Sequence, residues 1–222
     1  MQFLAVAAVL TTAVSALPAA LVERQQTYGA ETYEGETHGG LNYSARAVLH
    51  HNLHRSNHSA VNVTWDDDLA SSAKKVADLC IFEHKMDVDG GNYGQNLAAG
   101  VPADNITSVI TDLWYGGEVS LYPAWGRNPS QSEMSTFVQW GHFSQLVWKN
   151  TTIIGCATTD CSSQGGVAST GGNVEPYLTV CHYKGPGNYA GQYGEQVGES
   201  LGNATIAWDD FLDLDVDINL SK

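Results

Sequence analysis

Four cysteines, together with an uncharged apolar stretch at the start of the chain, constrain the fold most. The cysteines are Cys80, Cys156, Cys161 and Cys181. Residues 2–16 carry no charged side chain and end in small residues, which is typical of a secretory signal peptide. We therefore predict a signal peptide over residues 1–16. Because exported proteins fold under oxidising conditions, we also predict two disulfide bonds, for which three pairings are possible.

The net charge of the chain argues against a nucleic acid partner, and its hydropathy argues against a transmembrane segment. The chain has 24 acidic and 10 basic side chains and a formal net charge of -14. Such a chain repels the phosphate backbone, and no run of lysine or arginine offers a local exception, so we expect no nucleic acid partner. No later segment reaches the roughly 18 unbroken apolar residues of a membrane helix. We therefore expect a secreted, extracellular protein with no transmembrane segment.

Asn-x-Ser/Thr triplets are frequent and fit the same compartment. In an exported chain they can accept N-linked glycans, so we expect a glycoprotein, although such triplets also arise by chance in a chain rich in Asn and Thr. The candidate acceptors are Asn42, Asn57, Asn62, Asn105, Asn150, Asn203 and Asn219.

Apolar periodicity predicts three helices in the first half of the chain. Residues 17–42 are rich in Glu, Thr, Gly and Gln, which indicates a flexible leader. We expect one helix to begin near residue 43 with Ser44 as its cap, and a second to be capped by Asp66. A third helical pattern covers residues 106–114.

The second half of the chain has the character of short strands. We predict strands at Phe143–Trp148, Ile153–Thr158 and Tyr177–Tyr183. Helices followed by strands favour an α+β domain in which helices cover an antiparallel sheet. We place this domain at residues 43–194, followed by an acidic tail at residues 195–222.

A long aromatic segment separates the helices from the strands. Residues 122–140 are rich in Pro, Ser, Gly and Asn, yet they include four large aromatic side chains. Long loops of this kind are often functional. The alternative is that the aromatic rings only attach the loop to the core.

The histidines form two groups. For His50, His51, His54 and His58 in the first helix, we favour a solvated or capping role over metal binding. His84 and His142 would, on their own, be ordinary hydrogen-bonded histidines. The string Gly198–Gly202 fits the G-x-S-x-G pattern of a nucleophile elbow, but no buried strand precedes it and no histidine follows it, so we reject that interpretation.

Two long motifs give the second pair of histidines a context. The segment Gly141–Thr151 resembles the first signature of the CAP superfamily, which joins cysteine-rich secretory proteins, wasp-venom antigen 5 and plant pathogenesis-related protein 1. The segment Val180–Tyr189 resembles the second signature. Gly94–Ala98 and Trp114 with Glu118 add shorter matches in the same order. The similarity covers residues 43–194 and is greatest to fungal secreted members.

The resemblance implies a three-layer α-β-α sandwich with a central antiparallel sheet and a cleft. The implied cleft tetrad consists of His84, Gln95, Glu118 and His142. Gln95 departs from the usual Glu, and an amide can neither act as a general base nor supply negative charge to a cation. His84, Glu118 and His142 retain the composition of an open zinc site, so we expect Zn or another divalent cation to bind weakly. The resemblance also favours the pairings Cys156–Cys181 and Cys80–Cys161.

The resemblance finally implies a ligand, because members of the family bind sterols and fatty acids outside the cell. The implied contact is the aromatic loop, through Tyr122, Pro123, Trp125, Phe137 and Trp140. We therefore predict a secreted binder of sterols or related small hydrophobic molecules, active in lipid export or host interaction. Two alternatives stay open: a metal-dependent hydrolase acting through His84, Glu118 and His142, and an interaction protein recognised by a protein receptor.

Overall fold

The computed structural model describes residues 41–203. The predicted signal peptide, nearly all of the predicted leader, most of the acidic tail and Asn219 lie outside the described residues. Within residues 41–203, none of the helices combines the length and the apolar character needed to cross a bilayer.

A four-stranded sheet forms the middle layer. Its strands are β1 (Thr64–Trp65), β2 (Gly94–Ala99), β3 (Ile153–Asp160) and β4 (Tyr177–Lys184). They lie in the order β1-β3-β4-β2, so β2 forms one edge. β1 runs parallel to β3, and the other neighbours are antiparallel. The predictions of β3 and β4 are confirmed, whereas the sequence patterns did not indicate β1 or β2.

Helices make up the outer layers. They are α1 (Tyr43–Asn57), α2 (Asp67–Ala77), α3 (Ile106–Ser108), a π-helix (Val109–Gly116) that continues α3, α4 (Gln131–Met134), α5 (Gly141–Leu146) and α6 (Tyr193–Gln196). The side chain of Asp66 accepts a hydrogen bond from the Leu69 N–H and caps α2, as predicted. α1 is capped by Asn42, which accepts from the Ala45 N–H, and not by Ser44.

Alternate residues of the sheet face two separate cores. In β3, Ile154 and Cys156 pack with α1, the π-helix and α5, whereas Ala157 packs with α2 on the opposite face. The α2 side chains that close the second core are Ala73, Val76 and Ala77. Because both faces of the sheet are covered, the predicted α-β-α sandwich is confirmed.

The segment Phe143–Trp148 is not a strand, and this prediction is wrong. Residues Gly141–Leu146 form α5, so His142 is the second residue of a helix. Phe143, Leu146 and Val147 are buried at helical spacing. A short apolar run of this length fits either a buried strand or a buried helix, and packing against the rest of the protein decides between them.

Two disulfide bonds join the elements in the predicted pairs. Cys80, just after α2, is bonded to Cys161 at the end of β3, with Cα atoms 5.7 Å apart. Cys156 and Cys181 face each other across β3 and β4, with Cα atoms 4.0 Å apart. Closed loops of this length restrict the unfolded chain and contribute about 2–4 kcal/mol each.

The chain after residue 194 still packs against the domain. The Gln196 side chain accepts a hydrogen bond from the Asn150 N–H, and the Gly198 carbonyl lies 2.8 Å from Nδ1 of His58. The Leu201 N–H donates to the carbonyl of Asn57. The packed structure therefore extends beyond the predicted boundary at 194.

One predicted glycan does not fit the folded domain. Asn57 is buried, its Nδ2 donates to the Tyr115 hydroxyl at 3.1 Å, and its Oδ1 accepts from the Asn203 N–H. Among the other described acceptors, Asn150 and Asn203 are exposed and Asn42, Asn62 and Asn105 are half-buried. Glycosylation at those five positions stays a prediction.

Candidate functional site

A cavity of about 720 Å³ lies beside strand β2. The carbonyl of Leu97 accepts a hydrogen bond from the Trp114 indole N–H, so the backbone groups of Leu97 point away from β4. Four consecutive residues of β2, Gly94, Gln95, Asn96 and Leu97, line the cavity. Two histidines line the cavity: His84, in the irregular segment that follows α2, and His142, the second residue of α5.

The first histidine is held by Gln95. Nδ1 of His84 lies 2.8 Å from Oε1 of Gln95. The backbone of Lys85 fixes the orientation of this amide, because its N–H donates to Oε1 and its carbonyl accepts from Nε2. Oε1 is therefore an acceptor, and His84 must carry its hydrogen on Nδ1. The other ring nitrogen, Nε2, is left to accept a hydrogen bond or a cation.

Gln95 also contacts a histidine that the sequence interpretation did not assign. Its Nε2 lies 2.8 Å from Nε2 of His182, to which it donates. The His182 ring is fully buried and stacks on Tyr93, with centroids 3.7 Å apart. Burial lowers the pKa of His182 to about 4, so the ring is neutral at physiological pH. His182 lies inside the second signature, but nothing in that motif indicated a contact with Gln95.

The second histidine is held by Glu118. Oε1 of Glu118 lies 2.5 Å from Nδ1 of His142, and Oε2 accepts the backbone N–H of Phe143 at 2.9 Å. Glu118 follows the end of the π-helix and is nearly buried. Its two oxygens therefore orient His142 and the start of α5. Nε2 of His142 is left as the second available ring nitrogen.

Gln145 lines the cavity and is hydrogen-bonded to Gly187, which belongs to the second signature motif (Val180–Tyr189). Its Oε1 accepts the N–H of Gly187, and its Nε2 donates to the hydroxyl of Thr151. A Cβ at Gly94 would lie 1.9 Å from Oε1 of Gln145, and one at Gly187 would lie 2.9 Å from it. The absence of a side chain at both glycines therefore leaves room for the Gln145 amide in this position.

Three members of the predicted tetrad, His84, Gln95 and His142, line the cavity, and the fourth, Glu118, contacts it through its hydrogen bond with His142. Each oxygen of Glu118 accepts one hydrogen bond, from His142 and from the Phe143 N–H, so Nε2 of His84 and Nε2 of His142 are the unengaged ring nitrogens of the predicted metal set. Metal binding by His84, Glu118 and His142 stays a prediction. No group of three metal-ligating His, Cys, Asp or Glu side chains occurs among residues 41–203.

The aromatic loop contributes less to the cavity than its sequence indicated. Tyr122 and Trp140 are buried in the core, with ring centroids 5.4 Å apart. Trp125 stacks on His58, and Pro123 accepts a hydrogen bond from Arg127 through its carbonyl. Of the five residues predicted to contact a lipid, Phe137 lines the cavity. The interpretation that the rings attach the loop to the core therefore holds for Tyr122 and Trp140.

The four histidines in and just after α1 are buried, so the predicted solvated role is wrong, although His58 is the C-cap residue of α1. His50 and His54 both lie within hydrogen-bond distance of the Thr111 hydroxyl, at 2.7 and 2.8 Å. His51 contacts the hydroxyl of Tyr183, and His58 contacts that of Tyr115. These polar rings fill the interface between α1, the π-helix and the sheet.

Comparison with known proteins agrees with this architecture. The chain is 42% identical over 167 residues to a "Probable pathogenesis-related protein" of Arthroderma benhamiae, covering 75% of this chain and 52% of that one. It is 35% identical over 156 residues to "Protein PRY2" of Saccharomyces cerevisiae, covering 70% of this chain and 41% of that one. The chain thus spans about half of the length of these fungal relatives.

A solved structure shows the same fold. The "Crystal structure of NaASP2 with Zn2+" superposes with a TM-score of 0.56 at 18% identity, covering 76% of this chain and 90% of that one. The described domain therefore has the fold of that solved structure. The chain belongs to the family described as "CAP: Cysteine-rich secretory protein family", whose model matches residues 48–183.

Proposed function

We propose that the chain is an extracellular binding protein whose cavity takes sterols or related small hydrophobic molecules. The observation that carries the proposal is the cavity itself. Its volume of about 720 Å³ lies within the range of about 300–1,000 Å³ that is usual for small-molecule sites. Phe82, Met86 and Leu97 on one side and Phe137 on the other give it mainly apolar walls.

The rim of the cavity supports an apolar guest as well. Val138 is 82% exposed, Tyr189 is 50% exposed and Met86 is 45% exposed, and all three line the opening. Exposing apolar side chains around an open cavity costs free energy, which an apolar ligand that covers them recovers. An extracellular location agrees with the apolar, uncharged residues 2–16 and with the two disulfides.

The first test is to extract lipid from the protein secreted by its own cells and to identify it by mass spectrometry. We expect a sterol or a related hydrophobic molecule in a stoichiometric amount. Protein that carries no lipid and fails to bind added sterol would contradict the proposal.

Three serine variants, one of them a control, locate the ligand. Val138→Ser removes an exposed apolar contact at the rim, and we expect it to weaken binding of radiolabelled cholesterol a few-fold. Phe137→Ser removes a larger contact and should weaken binding at least tenfold. Val61→Ser is the control, because Val61 is 59% exposed and does not line the cavity. Equal affinity in all three variants would place the ligand elsewhere.

A cation bound by His84 and His142 is the alternative occupant of the polar end of the cavity. The two Nε2 atoms would be its protein ligands, with water completing the shell. Hydrolysis is a weaker proposal, because Gln95 cannot accept a proton and Glu118 is already engaged. Calorimetry with Zn²⁺ tests the cation alone: we expect weak binding that disappears in His142→Ala. Recognition by a protein receptor stays a prediction from the sequence.

A further inference from the structure

Another cavity, of about 150 Å³, lies between helix α2 and the segment that precedes β2. It shares Tyr93 with the larger cavity and otherwise has different walls. Its polar lining residues are Asp68, Ser72, Asp89, Asn92 and Lys184. Because the walls of the larger cavity are mainly apolar, the two cavities fit different kinds of ligand.

Ser72 lines this smaller cavity with a buried hydroxyl group. The residue is 3% exposed, and the described chain, residues 41–203, offers its Oγ no hydrogen-bond partner. Asp89 and Tyr93 lie close to it, but neither is placed for an ordinary hydrogen bond with Ser72. The Tyr93 hydroxyl donates instead to the carbonyl of Val88 at 3.0 Å. An unpaired buried hydroxyl costs free energy, so a ligand that pairs with it gains that free energy on binding.

The charges around the smaller cavity are of both signs. Asp68 and Asp89 supply carboxylates, and Lys184 supplies an ammonium group. Nζ of Lys75 lies 2.6 and 2.8 Å from the two oxygens of Asp89, so a cation would have to displace this lysine. An anion would meet the same two carboxylates. The cavity therefore disfavours ligands with a net charge, whereas its hydrogen-bonding groups require a polar ligand.

We propose that the smaller cavity binds a neutral, hydroxyl-rich ring, which is the chemistry of one sugar unit. Each hydroxyl of such a ring can both donate and accept, so it can donate to the carboxylate of Asp68 and accept from Ser72 or Lys184. The volume of about 150 Å³ lies below the range of about 300–1,000 Å³ for drug-sized ligands and suits a single ring. This site goes beyond the proposed function, because it lies outside the cavity assigned to the hydrophobic ligand.

Four neutral sugars test the proposal on the full secreted chain: D-glucose, D-mannose, D-galactose and N-acetyl-D-glucosamine. We expect at least one of them to shift the amide NMR signals of Ser72, Gly91 and Asn92, with a Kd of about 1–10 mM. Calcium chloride and sodium phosphate are the charged probes and should shift none of these signals. The methyl glycoside of the sugar that binds separates two sources, since it binds to a site for a glycan end and fails to bind to a site for the free sugar.

Variants assign the binding to this cavity. Ser72→Ala removes the unpaired hydroxyl, so we expect the affinity for the sugar to fall about fivefold while the urea midpoint of unfolding stays unchanged. A purely structural role of Ser72 would lower that midpoint. Asp68→Ala removes an exposed carboxylate of the cavity and should weaken binding about tenfold. Glu175→Ala removes an exposed carboxylate outside the cavity and should change neither quantity.

Two results would overturn the proposal. One is the failure of all four sugars to shift these signals, which would show that the cavity holds water only. The other is binding of calcium or phosphate next to Ser72 and Asn92 without binding of a sugar. Neither result bears on a hydrophobic ligand in the larger cavity, for which lipid extraction is the test.

Discussion

Gln95 and His182 lie opposite each other on β2 and β4, and the amide Nε2 of Gln95 donates to the imidazole Nε2 at 2.8 Å. The same Nε2 donates to the carbonyl of Lys85. In Gln95→Glu both donations are lost, and a carboxylate oxygen is placed against the Lys85 carbonyl. We expect the free energy of unfolding at pH 7 to fall by about 1–3 kcal/mol, measured by urea denaturation.

The same variant should change the titration of His182. Burial lowers the pKa of this ring to about 4, and a carboxylate neighbour stabilises the imidazolium form, so the pKa should rise. Titration of the imidazole by NMR measures the shift. Gln139→Glu, at an exposed position, is the control and should leave both quantities unchanged. An unaltered His182 pKa in Gln95→Glu would show that the amide does not determine the state of the ring.

The buried histidines of α1 should make the protein sensitive to mild acid. Burial lowers the pKa of His50 to about 4 and that of His51 and His54 to about 3. An unfolded histidine has a pKa of about 6.5, so below that value the unfolded chain binds protons that the folded chain does not. Stability therefore falls as the pH falls, by about 2 kcal/mol for each ring at pH 5.

Urea denaturation at pH 7, 6 and 5 measures this effect before carboxylates contribute. A carboxylate with a lowered pKa, such as Glu133 at about 2, weakens the fold only when the pH approaches its unfolded pKa of about 4.3. His54→Gln should reduce the loss between pH 7 and pH 5, whereas Ser56→Ala, on the exposed face of α1, should not. A constant free energy of unfolding over this range would contradict the assignment.

Arg55 holds α1 to the chain segment after α5 and is fully buried. Its guanidinium donates to the backbone carbonyls of Leu146, Trp148 and Thr151, and its Nε donates to Val61. A lysine has one ammonium group and cannot reach four carbonyls in different directions. We expect Arg55→Lys to lower the free energy of unfolding by about 3 kcal/mol or more. A loss below about 1 kcal/mol would show that water replaces these hydrogen bonds.

The family resemblance named residues that the fold does bring near one another: His84, Gln95 and His142 line the cavity, and Glu118 contacts His142. Their function stays a prediction. The partners of these residues could not be predicted, since the backbone of Lys85 holds the amide of Gln95 and any residue type supplies the same backbone groups.

The two wrong predictions, of a strand at Phe143–Trp148 and of solvated histidines in the first helix, also have physical reasons. The run Phe143–Trp148 fits a strand and a helix equally, and the packing of Phe143 and Leu146 in the core selects the helix. The solvated role predicted for the histidines of the first helix is wrong, because their rings are buried. Their burial depends on partners that are distant in the sequence, such as Thr111 and Tyr183.

The crossing of α2 over β3 depends on the absence of a side chain at Gly155. A Cβ at this position would lie 2.2 Å from the backbone N of Ala70 and 2.5 Å from the carbonyl carbon of Leu69. Backbone atoms cannot rotate aside as a flexible side chain can, so Gly155→Ala must push α2 away from the sheet. We expect the free energy of unfolding to fall by about 3 kcal/mol, the upper end for overpacked cores. Gly172→Ala is the matched control, because a Cβ there meets no atom within 4 Å, and it should be neutral. Equal stability of the two variants in urea would mean that α2 does not pack on β3 at this distance.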